Sequence, residues 1–96
     1  MYKVLVADDH PLVRSGVRMT LSKADDLEVI GEAQDSQEVL DLVSQHQPDL
    51  MILDIEMPGL PADEVILQAR QHCPELKVLV LTAHEDTDHI RALMKA

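Results

Sequence analysis

The chain has 96 residues, a formal net charge of −10 and a single aromatic residue, Tyr2. This length allows one domain with an aliphatic core, and the negative charge argues against the segment gripping nucleic acid or an anionic membrane by itself. One cysteine, Cys73, excludes an internal disulfide and fits a reducing, cytoplasmic setting, with no signal peptide and no run of membrane-spanning length.

Tyr2 to Ala7 is an apolar run that reads as a first strand. Asp8, Asp9 and His10 follow, and Pro11 suits the first turn of a helix, with an Asp ahead of it as a natural cap. Val13, Val17, Leu21 and Ala24 recur at helical spacing, which predicts a helix to about Lys23. Asp25-Asp26 marks a turn, and Leu27, Val29 and Ile30 lie in a second strand ending near Ala33. Asp35-Ser36-Gln37-Glu38 resembles a capping box, with Asp in place of Ser or Thr, opening a helix that buries Val39, Leu40 and Val43 and stops before Pro48.

Asp49 to Asp54 is an evenly apolar run ending in a carboxylate, a pattern expected of a strand buried on both faces. The loop Ile55 to Pro61 carries two prolines and a glycine. A third helix begins near Ala62 and buries Val65, Ile66 and Ala69, and Pro74 closes the turn after it. Lys77 to Leu81 is the fourth strand, with Thr82, Ala83 and His84 at its exit, and Asp86 caps a fourth helix with Ile90, Leu93 and Met94 on its apolar face.

Four β-α units predict a parallel sheet with helices on both faces. All carboxyl ends then share one edge. A strand order 2-1-3-4 opens a crevice between strands one and three and brings Asp8, Asp9, Asp54 and Thr82 together. Packed acids repel, so one holds a proton or a cation neutralises them. Carboxylates with carbonyl oxygen and water suit Mg²⁺, and a carboxylate beside that ion can attack phosphorus to form an aspartyl phosphate. Taken singly, each acid is explained as a helix cap or a loop residue. Their joint placement after three parallel strands favours a site.

These residues carry a resemblance. Val4-Leu5-Val6-Ala7-Asp8-Asp9-His10-Pro11-Leu12-Val13-Arg14, Val29-Ile30-Gly31-Glu32-Ala33, Pro48 to Gly59, and Val78-Leu79-Val80-Leu81-Thr82-Ala83 resemble the receiver domain of two-component response regulators. The match is to the LuxR-type subfamily, whose members carry a helix-turn-helix effector domain. The resemblance covers residues 1–96 and implies a flavodoxin-like α/β fold. It implies that Asp54 accepts a phosphoryl group from a sensor histidine kinase. Asp9, Asp54 and the main-chain carbonyl of Glu56 are then direct Mg²⁺ ligands, with Asp8 acting through water. Thr82 becomes the switch hydroxyl, and Glu56 and His84 tune loss of the phosphoryl group. DNA would be reached only through an effector domain that this chain does not contain.

The family's fifth strand and helix lie beyond the position of Ala96, as do a lysine that pairs with the phosphoryl group and an aromatic switch residue. Lys95 belongs to the helix-four pattern and is not that lysine. The chain therefore reads as a receiver truncated before its fifth strand. The apolar edge of strand four is then expected to drive self-association. An interaction module that works without phosphorylation is the alternative. An aspartate-nucleophile phosphatase would place a second Asp where Glu56 stands, and a flavin carrier would need aromatics and a glycine-rich phosphate loop. His84, Glu85, Asp86, Asp88 and His89 read as a solvated helix start, and His72-Cys73 as a helix end.

Overall fold

A computed structural model describes residues 1–81. The elements are β1 (Tyr2–Ala7), α1 (Pro11–Leu21), β2 (Leu27–Ala33), α2 (Ser36–His46), β3 (Leu50–Asp54), α3 (Ala62–His72) and β4 (Lys77–Leu81). The four strands are parallel and lie in the order β2-β1-β3-β4. This is the flavodoxin-like arrangement expected from the sequence. Thr82, His84 and the expected fourth helix lie outside the described residues.

Side chains alternate across the sheet, so each strand feeds two cores. Leu5, Ala7, Met51 and Leu53 face α2 and α3, where Val39, Val43, Val65 and Ala69 close over them. Val4, Val6 and Ile52 face the other way, packed by Val17 and Leu21 of α1 and by Leu79 and Leu81 of β4. Each fully buried Val or Leu contributes about 1.5–3 kcal/mol. The α2–α3 side holds most of the fully buried side chains, whereas α1 has no buried residue and Val13 is 38% exposed. Ile66 is half-buried rather than enclosed.

Three boundaries differ from the sequence reading. Helix α1 stops at Leu21, because the Ser22 N–H bonds back to Arg18 O at 2.9 Å while the Lys23 N–H makes the tighter turn bond to Thr20 O at 3.4 Å. Its N-cap residue is His10, which makes no side-chain cap, so no Asp plays that part. Strand β3 begins at Leu50, although Asp49 already bonds both neighbours: its N–H donates to Lys3 O at 2.9 Å, its carbonyl accepts the Lys77 N–H at 3.1 Å, and its side chain accepts the Lys3 N–H at 2.8 Å.

The capping box at α2 is real and slightly offset. Asp35 Oδ1 accepts the Glu38 N–H at 2.9 Å, and Glu38 Oε1 reaches back to the N–H of Gln34 at 2.8 Å, one residue before the cap. Cys73 ends α3 as a buried residue, with Sγ 3.4 Å from the Pro48 carbonyl oxygen.

The loop after β3 is tied to the start of α2. The Ser36 N–H donates to Pro58 O at 3.3 Å, and Ser36 Oγ accepts the Leu60 N–H at 3.0 Å. Gly59 lies between these bonds at φ +108°, in the left-handed region, and a Cβ there would collide with Ser36 Oγ. Gly59→Ala should therefore cost roughly 2 kcal/mol, read as a lower midpoint in urea unfolding with an unchanged slope.

Candidate functional site

The site is built where β1 and β3 end side by side. Ala7 pairs with Leu53 in register, so the next residue on each chain segment, Asp8 just past β1 and Asp54 at the last position of β3, lies at the same level. Leu53 faces the α2–α3 core, so strand alternation turns Asp54 to the α1 side, and the same reasoning turns Asp8 there after Ala7. Both side chains are almost fully enclosed, at 5% and 7% exposure, while that of Asp9 is 31% exposed.

His10 completes the cluster. Its Nδ1 lies 2.9 Å from Asp8 Oδ1, 2.9 Å from Asp9 Oδ1 and 3.7 Å from Asp54 Oδ2. Its N–H also donates to Asp8 Oδ1 at 2.8 Å, the turn that an Asp two residues back commonly makes. Asp54 Oδ1 accepts the Glu56 N–H at 3.0 Å, which folds the following loop back over the acid.

The charges are poorly compensated. Burial holds the Asp54 carboxyl above its ordinary value, against the Glu56 N–H that favours its ionised form, and the charges of Asp8 and Asp9 push it further up. The hydrogen bond to Asp8, followed by the charge of Asp9, raises the His10 imidazole. Asp9 Oδ1 is shielded from solvent, and among the described residues it accepts no hydrogen bond of good geometry despite its short distance to His10. One ligand atom from each of Asp8, Asp9, His10 and Asp54 lies within 4.8 Å of the others. Carboxylate oxygens at this spacing, one of them without a donor, fit a hard divalent cation.

The structure thus brings together Asp8, Asp9 and Asp54, with the Glu56 backbone folded against them. Thr82 falls outside the described residues. His10 had no role in the sequence reading, although its place directly after the acid pair was the available signal.

A parallel four-stranded sheet with an acid triad at its carboxyl edge defines a flavodoxin-like receiver. The family profile described as "Response regulator receiver domain" matches residues 4–96. YhcZ, a transcriptional regulatory protein of Bacillus subtilis, is 36% identical over 94 residues, covering 98% of this chain and 44% of YhcZ. The signal receiver domain of NarL from Mycobacterium tuberculosis superposes with a TM-score of 0.79 at 35% identity, covering 98% of this chain and 76% of that one. RcsB from Salmonella enterica serovar Typhimurium, bound to promoter rprA with the phosphomimetic BeF₃⁻, superposes at 0.80 with 28% identity, covering 99% of this chain and 80% of that one. The chain belongs to the response regulator receiver family, and the solved structures similar to it include a two-component response regulator of the LuxR family. It spans less than half the length of YhcZ. Among the described residues, no helix is long and apolar enough to cross a membrane.

The raised Asp54 carboxyl has a measurable consequence. The native state keeps this proton at pH values where the unfolded chain, with its ordinary value of 3.8, has released it. The Asp54 contribution to stability therefore falls as pH rises above that value and through the raised range. Asp54→Asn lacks this titration and should melt several degrees above wild type at neutral pH. The gap should close as pH is lowered through the Asp54 range, a comparison that thermal unfolding by circular dichroism makes directly.

Proposed function

We propose that this domain is a phosphorylation switch in which Asp54 accepts a phosphoryl group from a sensor histidine kinase, with Mg²⁺ in the acid pocket. The observation that carries the reading is the convergence of Asp8, Asp9 and Asp54 at adjoining strand ends, with Asp54 buried and under charge repulsion. Asp9, Asp54 and the main-chain carbonyl of Glu56 would hold the ion directly, and Asp8 through a water. Bound there, Mg²⁺ neutralises the carboxylates and draws charge from the phosphoryl oxygens.

The chain's own groups do the rest. One Asp54 oxygen is occupied by the Glu56 N–H, which fixes the carboxylate plane and leaves the other oxygen as nucleophile. That oxygen attacks phosphorus, and the bond from phosphorus to the donor atom breaks with its electron pair leaving on the donor. The domain modifies only itself, so it is a switch rather than a conventional enzyme. Thr82 follows β4 directly and is assigned the hydroxyl that bonds the phosphoryl oxygens and passes the change onward.

The output belongs to a larger assembly. The relative RcsB is seen with promoter DNA, and two RcsB dimers are seen on two DNAs. By analogy, phosphorylation here would alter self-association and DNA binding by an attached effector domain in the cytoplasm.

Incubation with a small-molecule phosphodonor and Mg²⁺ tests the reading. Mass spectrometry should show one added phosphoryl group, lost on removal of Mg²⁺ and absent from Asp54→Asn. Thr82→Ala should still be modified but should show smaller phosphorylation-dependent chemical-shift changes. A modification of equal yield in Asp54→Asn would reject Asp54, and no modification of wild type would favour a module that works without phosphorylation.

A further inference from the structure

The acid pocket depends on the Asp8-Asp9 turn being held still, and the sheet supplies a fixture for it. Asp8 is gripped through its main chain on both sides. Its N–H donates to the Ala33 carbonyl oxygen of β2 at 2.9 Å. Its own carbonyl oxygen accepts Nη1 of Arg14, from α1, at 2.6 Å. The same guanidinium is aimed by β2, because Arg14 Nε donates to Glu32 Oε1 at 3.2 Å. The other Glu32 oxygen takes Nε and Nη2 of Arg18 at 3.0 and 2.7 Å. The Arg14 side chain is only 13% exposed, whereas that of Arg18 is 48% exposed.

Glu32 reaches this position through an irregularity in the sheet. Val4 pairs with Val29 but Leu5 pairs with Gly31, so β2 contains one extra residue against β1. Without the shift, Glu32 would pair with Ala7 and share its face, which lies in the α2–α3 core. With it, Glu32 pairs with Val6, whose side chain faces α1. The shift leaves Gly31 opposite Leu5, next to the Leu42 side chain. The bulge thus turns an acid away from an apolar core and onto the two arginines.

We infer that Arg14, oriented by Glu32, is a positioning residue for the phosphoryl-accepting pocket: it fixes the Asp8 carbonyl and with it the geometry of the Asp8, Asp9 and His10 turn. The inference rests on the reading of these acids as a metal and phosphoryl site. Arg14 touches none of the carboxylates in that site. It acts on the backbone that carries them. Arg18 shares Glu32 but makes no bond to the turn, and it is the internal control for loss of a cation from α1.

Two measurements on the full chain test this. In the metal-free protein, amide exchange at His10, whose N–H is bound to Asp8 Oδ1, reports the order of the turn. Arg14→Met should accelerate it about tenfold relative to the strand amides, the scale of one lost charge-assisted hydrogen bond. Arg18→Met should change it less than about twofold even where both variants lose similar stability. Arg14→Lys keeps the charge without the fork and should fall between Arg14→Met and wild type. In an Mg²⁺ titration followed by NMR, Arg14→Met should weaken binding roughly tenfold and Arg18→Met should not. Equal effects of the two arginine variants, or wild-type exchange in Arg14→Met, would overturn the assignment. If wild type binds no Mg²⁺, the metal reading fails, and the amide exchange alone still decides whether Arg14 holds the turn.

Discussion

Three carboxylates held close together in a largely enclosed crevice are the constraint on which the rest of this structure depends. Such a group is unfavourable by itself, since burial and mutual repulsion both oppose ionisation. It persists because the elements that carry it are packed for other reasons. The ends of β1 and β3 cannot separate without breaking the parallel ladder and exposing Leu5, Met51 and Leu53, all fully buried. The aliphatic core therefore keeps the acids together, and their uncompensated charge fits a hard divalent cation.

The supports around the pocket come from three directions. Beneath it lies the β1–β3 pairing. Beyond β3, the Glu56 N–H caps Asp54, and the Ser36–Gly59 contact pins the loop that follows to α2. On the α1 side, Arg14 bonds the Asp8 carbonyl and Glu32 aims Arg14. Each support engages the backbone, and only one oxygen of Asp54 is taken up, by the Glu56 N–H, which leaves its other oxygen without a backbone donor. This division matches what a binding site needs: first the reacting groups, then a rigid frame that holds them within a fraction of an ångström.

Much of this was legible in the sequence because it depends on local pattern. The apolar run from Leu50 to Leu53 could only be a strand buried on both faces, and β-α alternation then gave the parallel sheet and the shared edge for Asp8, Asp9 and Asp54. Asp35 and Glu38 announced the start of α2. The remainder depends on contacts between distant residues, on which local propensity is silent. Whether an Asp caps α1 was decided by His10 and the turn at Asp8, and Asp8 was drawn into that turn instead. The register shift between Val4 and Leu5 is a property of the β1–β2 pairing and leaves no mark in the local pattern of β2. Alternation counted from Leu27 without the bulge would place Glu32 on the wrong face, so its bonds to Arg14 and Arg18 were hidden. The contact between Ser36 and Gly59 joins segments more than twenty residues apart, and only the fold reveals why that glycine is required.

The central claim is that these acids form one pocket completed by a divalent cation, and thermal unfolding with and without Mg²⁺ tests it most directly. A ligand that binds only the native state raises the melting temperature in proportion to the logarithm of its concentration once its site is filled. Wild type should show such a rise over the millimolar range, with no comparable rise for Ca²⁺-free sodium chloride at equal ionic strength, and Asp9→Ala should lose most of it. A melting temperature unmoved by Mg²⁺, or moved equally in wild type and Asp9→Ala, would contradict the account.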